Sequence, residues 1–189
     1  VQIYTPYGAT EALPVAVIGS EEILQDTRHQ TARGAGTCIG RPVSGLDVRI
    51  IRISDAPIAE WSDELVLPSG EIGEIAVYGP QVTQEYFCRP DLTALAKIPD
   101  AVRGRKWHRM GDVGYFDDQG RLWFCGRKSQ RVITPQRTYF TEPVEGIFNT
   151  VPGVFRTALV GVKRDGEVRP VLCVELERGA KPQAAMRDE

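Results

Sequence analysis

Glycine and proline recur along this chain from its start to about position 80. Glycine opens turn conformations closed to other residues, and proline lacks the backbone N–H that a helix or an inner strand needs. Long helices are disfavoured over that stretch, leaving short strands joined by turns. Residues 47–53 are rich in β-branched side chains, and their alternation slips between Ile50 and Ile51, which predicts a bulge. The polar, acidic residues 54–69 read as a long loop, and residues 74–78 alternate as a half-buried strand stopped by Gly79-Pro80. Asp117-Asp118-Gln119-Gly120 has turn chemistry and, with the strand at 121–125, predicts a β-hairpin.

After Gly126 the pattern changes. Residues 131–134 and 138–140 predict a small strand pair around Pro135-Gln136-Arg137. Val144, Ile147 and Phe148 follow at helical spacing, with Pro143 near the first turn and Thr141 or Glu142 as the cap. Pro152-Gly153 ends that helix, and strands at 157–162 and 168–176 join through Arg164-Asp165-Gly166. The expectation is an α+β chain of two units, residues 1–125 and 126–189, jointed at 126–129. No internal repeat or low-complexity tract is visible.

A net charge of −2 carries no footprint for DNA or RNA, so no nucleic-acid partner is expected. An apolar content of 42% with 25% charged residues is ordinary for a globular chain, and no run is long enough for a membrane span. Cys38, Cys88, Cys125 and Cys173 are far apart, and only His29 and His108 could join them. No zinc spacing results; the cysteines read as small hydrophobes in a reducing, cytoplasmic setting.

Three strings carry chemistry. Tyr4-Thr5-Pro6-Tyr7-Gly8-Ala9-Thr10-Glu11 combines an aromatic ring, a glycine-small turn, a hydroxyl and a carboxylate. Those groups suit base stacking, close backbone approach to a phosphate, phosphate binding and Mg²⁺. In isolation the string equally describes a strand entering a glycine turn. Trp107-His108-Arg109-Met110-Gly111-Asp112 offers a carboxylate able to accept from a ribose diol, or simply an Asp that starts a turn. Gly126-Arg127-Lys128-Ser129 delivers an arginine fork suited to phosphate and ribose oxygens, or a surface arginine after a strand.

Their order resembles the adenylate-forming enzymes: acyl- and aryl-CoA synthetases, luciferases and peptide-synthetase adenylation domains. The family pattern Y-G-x-T-E, G-x-x-G-x-P, G-E-I-x-V-x-G-P, W-x-x-T-G-D and D-x-x-G-x-L…G-R runs along nearly the whole chain. It appears as Tyr7-Gly8-Ala9-Thr10-Glu11, Cys38-Ile39-Gly40-Arg41-Pro42, Gly73-Glu74-Ile75-Ala76-Val77-Tyr78-Gly79-Pro80, Trp107 to Asp112, and Asp118-Gln119-Gly120-Arg121-Leu122…Gly126-Arg127. The resemblance implies a β-barrel-like C-terminal part of a large adenylation domain, followed by a small mobile α+β domain.

It also implies roles. Tyr7 stacks on adenine; Gly8 and Ala9 let backbone approach the nucleotide; Thr10 binds the α-phosphate; Glu11 holds Mg²⁺; Asp112 takes the ribose hydroxyls; Arg127 contacts ribose or phosphate. Ser129 occupies the hinge position, where Asp or Lys is usual. Met110 replaces the family's Thr or Ser, Glu85 precedes Tyr86 where glycine is common, and Arg137 lies one residue further from Val144-Glu145 than usual. The family's phosphate loop would precede Val1 and its catalytic lysine would follow Glu189. The chain is therefore expected to be a C-terminal fragment, inactive alone, with Lys181 a solvated surface residue.

The strings Tyr4 to Pro14, His108 to Asp112 and Gly126 to Arg131 look most like the olefin β-lactone synthetases. Under that resemblance the parent adenylates a long-chain β-hydroxy or fatty acid with ATP and Mg²⁺ and closes a β-lactone. The alternatives are an ordinary fatty-acid–CoA ligase, which adds coenzyme A, and a non-catalytic module retaining the fold. Pathway enzymes or a second copy are the partners the family suggests.

Overall fold

The structure, a computed structural model, describes residues 1–180; Lys181 lies outside them. The chain opens as a hairpin of β1 (Tyr4–Ala9) and β2 (Ala12–Gly19), with Thr10-Glu11 at its tip. Three contiguous helical pieces follow: α1 (Ser20–Glu22), a π-helical Ile23–Thr27 and α2 (Arg28–Thr31). Then come β3 (Thr37–Pro42), β4 (Asp47–Ile51), β5 (Gly73–Tyr78), α3 (Pro90–Ala96), β6 (Lys97–Asp100), β7 (Arg105–Phe116) and β8 (Leu122–Arg127). They form one antiparallel sheet ordered β1-β2-β3-β8-β7-β5-β4, with β6 on β7.

The sheet does not close edge to edge, yet its two ends share a core. Ala12, Val15 and Ala16 from β2 pack with Val48 and Ile50 of β4, Ile75 and Val77 of β5, and Met110 and Leu122. That curl is the physical content of the expected barrel-like body. It follows from the twist of antiparallel strands, which rotates the sheet's ends toward each other.

The bulge expected at Ile50-Ile51 is absent. β4 pairs with β5 in unbroken register from Asp47↔Tyr78 to Ile51↔Glu74. Two adjacent isoleucines are both buried because the strand is covered on both faces. Ile50 enters the main core, while Ile51 joins Ala76, Ile98 and Trp107 under the 52–66 segment. That segment is a loop, as expected, but it is a lid: Trp61 stacks on Trp107 with ring centroids 3.8 Å apart. β5 is likewise not half-buried. Residues 73–77 are all buried between β4 and β7, Glu74 included.

The hairpin of β7 and β8 forms as expected, with Asp117 N–H donating to Arg121 O. The chain then makes a 3₁₀ turn, Lys128–Gln130, and leaves the large sheet. β9 (Val132–Ile133) pairs with β10 (Thr138–Tyr139), α4 (Thr141–Phe148) follows, and β11 (Val154–Arg164) pairs with β12 (Glu167–Leu176). The turn between the last two strands places Asp165 at φ 53° and Gly166 at φ 86°, the paired positive values of a tight hairpin turn. Neither Thr141 nor Glu142 caps α4. Its N-cap is Phe140, and Thr141 is already helical. Thr141 instead packs on Gly126: a Cβ there, at φ +119°, would lie 2.2 Å from Thr141 Oγ1. Glu142 accepts from the Thr37 hydroxyl at 2.7 Å, tying α4 to β3.

Of the cysteines, Cys38 and Cys125 are buried, with burial pushing their thiols up to about 11 and about 12. Cys88 and Cys173 are exposed, so the small-hydrophobe reading holds for only two of the four. Among the described residues no helix is long and apolar enough to cross a membrane.

Candidate nucleotide site

The first string forms the β1–β2 hairpin. The register shifts between Tyr7 and Ala9, leaving Gly8 as the bulged residue, where a Cβ would lie 2.6 Å from Ala12 O. Gly8 is therefore required by the hairpin itself, whatever else approaches it. Thr10 is exposed at the tip, and Glu11 is half-buried beside it.

Tyr7, Asp112 and Arg127 meet, from β1, β7 and β8. The Tyr7 hydroxyl donates to Asp112 Oδ2 at 2.5 Å, and Arg127 Nη1 donates to Asp112 Oδ1 at 2.8 Å. An edge strand and two central strands of the sheet, more than 100 residues apart in sequence, thus share one carboxylate. Burial raises the Asp112 pKa against the lowering effect of its two donors. Burial and the adjacent Asp112 charge push the Tyr7 phenol well above its ordinary range, so it stays a donor. Asp112 is almost wholly enclosed, whereas the Arg127 side chain is 57% exposed and free to re-aim. The Tyr7 ring lies 6.3 Å from that of Phe124, tilted by 43°.

Glu11 has a partner that sequence reading missed. Tyr86 donates its hydroxyl to Glu11 Oε1 at 2.6 Å. That bond, the largest cause, holds the Glu11 pKa below the usual carboxylate range, so the group is ionised, and among the described residues no side-chain donor claims Oε2. Among the described residues no three His, Cys, Asp or Glu side chains gather to hold a metal. One hard, ionised oxygen ligand at a polar tip fits Mg²⁺, which typically takes one or two carboxylates and completes its shell with phosphate and water. It does not fit a caged transition metal.

Of the departures from the family pattern, Met110 has a local explanation. Met110 faces the main core at 5% exposure, where a hydroxyl would lack a partner. His108 is buried, its pKa lowered to about 4 by burial and then by Lys97, and so is neutral. Arg137 is exposed, its guanidinium 4.3 Å above the Tyr139 ring, and it makes no contact with Asp112 or Glu11. Ser129 is exposed within the 3₁₀ turn.

Around that turn lies a second missed constellation. Arg109 and Glu74, each with 1% side-chain exposure, pair at 2.7 Å, and Lys128 reaches Glu74 Oε1 at 3.0 Å. Lys128 also donates to Ser54 O at 2.8 Å, and Arg131 pairs with Asp55 at 2.6 Å. A charged residue inside an apolar strand, Glu74, was the available signal, since such a carboxylate needs a buried cation. A cleft of about 790 Å³ lies between Arg33-Gly34-Ala35 and α4; it contains none of Tyr7, Thr10, Glu11, Asp112 or Arg127.

No family model matches the chain. It is 57% identical over 190 residues to an olefin beta-lactone synthetase of Stenotrophomonas maltophilia, covering 99% of this chain and 34% of that protein. The amide bond synthetase McbA of Marinactinospora thermotolerans superposes with a TM-score of 0.73 at 26% identity, covering 97% of this chain and 33% of that one. An O-succinylbenzoate coenzyme A synthetase from Bacillus subtilis, solved with ATP and a magnesium ion, shares the fold: TM-score 0.68, 24% identity, 93% of this chain and 32% of that one. The chain spans about a third of the length of the curated relatives it matches. In sequence and in fold it is a relative of the adenylate-forming ligases, the olefin beta-lactone synthetases among them.

Proposed function

We propose that this chain supplies the ribose and metal contacts of an AMP-forming ligase. The enzyme would activate a long-chain fatty or β-hydroxy acid as its acyl-adenylate, then close a β-lactone. The observation that carries this reading is the convergence of Tyr7 and Arg127 on the enclosed carboxylate of Asp112, with Glu11 ionised on the same hairpin as Tyr7. Asp112 is already ordered and dehydrated, so accepting two ribose hydroxyls replaces donors it now has and needs little reorganisation. Arg127, largely exposed, swings to the ribose or phosphate; Thr10 contributes its hydroxyl to the α-phosphate and Tyr7 its ring face to the base.

Glu11 would hold Mg²⁺, which supplies charge neutralisation on phosphate oxygens when bound. Tyr86 keeps Glu11 aimed and ionised for that task. Ser129 serves as the hinge: its side chain makes no hydrogen bond among the described residues, and rotation there moves residues after 129 without disturbing the β7–β8 ladder. On that reading the large unit ends with β8 and the small one begins at the Lys128–Gln130 turn, a few residues after the division expected at 125–126. A soluble, cytoplasmic setting accords with the acid substrate.

Titrating the chain with AMP and with 2′,3′-dideoxy-AMP tests the ribose contact. Asp112→Ala should weaken AMP at least about tenfold, as loss of a hydrogen bond to a charged group does, and leave the dideoxy analogue unaffected. Equal AMP binding by Asp112→Ala overturns the assignment. The lactone reading is separated from a coenzyme A ligase by product analysis. In an enzyme of the relatives' full length, given ATP and a 3-hydroxy acid, turnover that requires coenzyme A would sink it.

A further inference from the structure

A second cleft, of about 500 Å³, is walled by Tyr86, Arg89, Thr93, Lys97, Pro99 and Lys106; Tyr86 is also the residue that holds Glu11. Its distinctive member is Lys97. The first residue of β6, it is 2% exposed, as enclosed as the core isoleucines. An ammonium has three N–H donors. Lys97 spends one on Thr83 Oγ1 at 2.9 Å and lies 5.8 Å above the Tyr86 ring. Among the described residues no carboxylate stands within 4.0 Å of it or of Lys106.

Buried lysines are normally paired, because a bare ammonium out of water is costly. The charges facing Lys97 do not neutralise it. Glu11 attracts it through space but makes no ion pair with it within 4.0 Å; Lys106 repels it; His108, its partner across β6–β7, is neutral. Burial accordingly lowers the Lys97 pKa to about 8, so it is still mostly protonated at neutral pH. Arg89 is engaged by Asp91 at 2.8 Å, and Glu85 is exposed on the rim. The enclosed end of the cleft is thus cationic, with unused donors and space for a polyatomic anion.

We propose that this cleft binds a phosphoryl anion, with Lys97 Nζ as its enclosed contact and Lys106 as its outer one. Lysine serves phosphate as a point charge, and two ammoniums around one cavity match a di-anionic tetrahedral group better than a single carboxylate. The anion could be pyrophosphate leaving the neighbouring nucleotide site or free inorganic phosphate. The inference rests on the cleft and its cations and stands independently of the ribose assignment.

The test titrates the chain with pyrophosphate, inorganic phosphate and AMP, following binding calorimetrically and the Lys97 ε-methylene by NMR. Saturable pyrophosphate binding is expected, weakened at least about tenfold by Lys97→Met and less by Lys106→Met. In the unaltered chain, saturating pyrophosphate should raise the Lys97 pKa, because a bound anion favours the ammonium. This readout holds even if Lys97→Met fails to fold. Preference for pyrophosphate over phosphate assigns the leaving group as the source, and equal binding assigns free phosphate. Absence of saturable binding, an unmoved Lys97 pKa or an unaffected Lys97→Met overturns the proposal. Loss of AMP binding alone would count only against the ribose assignment.

Discussion

Replacing Arg109 with Met should be among the most damaging single changes in the large sheet. The guanidinium donates to Glu74 at 3.2 and 2.7 Å, to Ala56 O and Leu95 O at 2.9 Å each, and to Ser54 O. Methionine fills similar volume but meets none of these acceptors. It leaves the Glu74 carboxylate, at 1% side-chain exposure, with Lys128 as its remaining cation. Breaking one side of a buried pair costs about 3–5 kcal/mol, mainly because the surviving charge is stranded. Lys128 offsets part of that, so about 3 kcal/mol is expected, or roughly 6–12 °C in Tm for a chain of this size. Urea unfolding followed by tryptophan fluorescence reads it directly, since Trp107 lies on the strand that carries Arg109. Adding Glu74→Gln to Arg109→Met should recover a substantial share of the loss by removing the stranded charge. A loss below about 1 kcal/mol, or a double variant weaker than the single, would refute the reasoning.

Stability should fall on mild acidification because of His108. Its folded pKa, about 4, lies below the ordinary 6.5, so the unfolded chain binds the proton first. The contribution is full above about pH 6.5 and is lost as pH falls toward 4; the difference amounts to roughly 3 kcal/mol, and His108→Gln should flatten that part of the pH profile in urea midpoints. Tyr86→Phe removes the bond that holds Glu11 low. The Glu11 pKa should rise toward its ordinary value in an NMR titration, and an unchanged value would show that Tyr86 does not set it. Gly126→Ala forces a Cβ against Thr141 at a positive φ, so it should cost about 1–3 kcal/mol, read as a lowered thermal midpoint.

Much of the candidate site is legible in the amino-acid sequence. The order of Tyr7, Glu11, Asp112 and Arg127 along the chain, set between glycine turns and short apolar runs, specifies which groups are available and which local elements carry them. Hairpin turns such as 117–120 and 165–166 are equally local, because their chemistry lies within the four residues that make them. What sequence could not show was partnership across distance. Tyr86 is 75 positions from Glu11, Arg109 is 35 from Glu74, and Lys128 is 54 from Glu74.

The two misread strands share one cause. Ile50-Ile51 looked like a slip and residues 74–78 looked half-buried, because alternation presumes a strand with one wet face. Whether a second layer covers that face is settled by the 52–66 loop folding back over β4, β5 and β7. The amino-acid order by itself determined the hairpin turns, several of the strands and the chemical groups. Tertiary packing decided which charges are buried together, because dehydration and pairing arise only when distant strands are brought into contact.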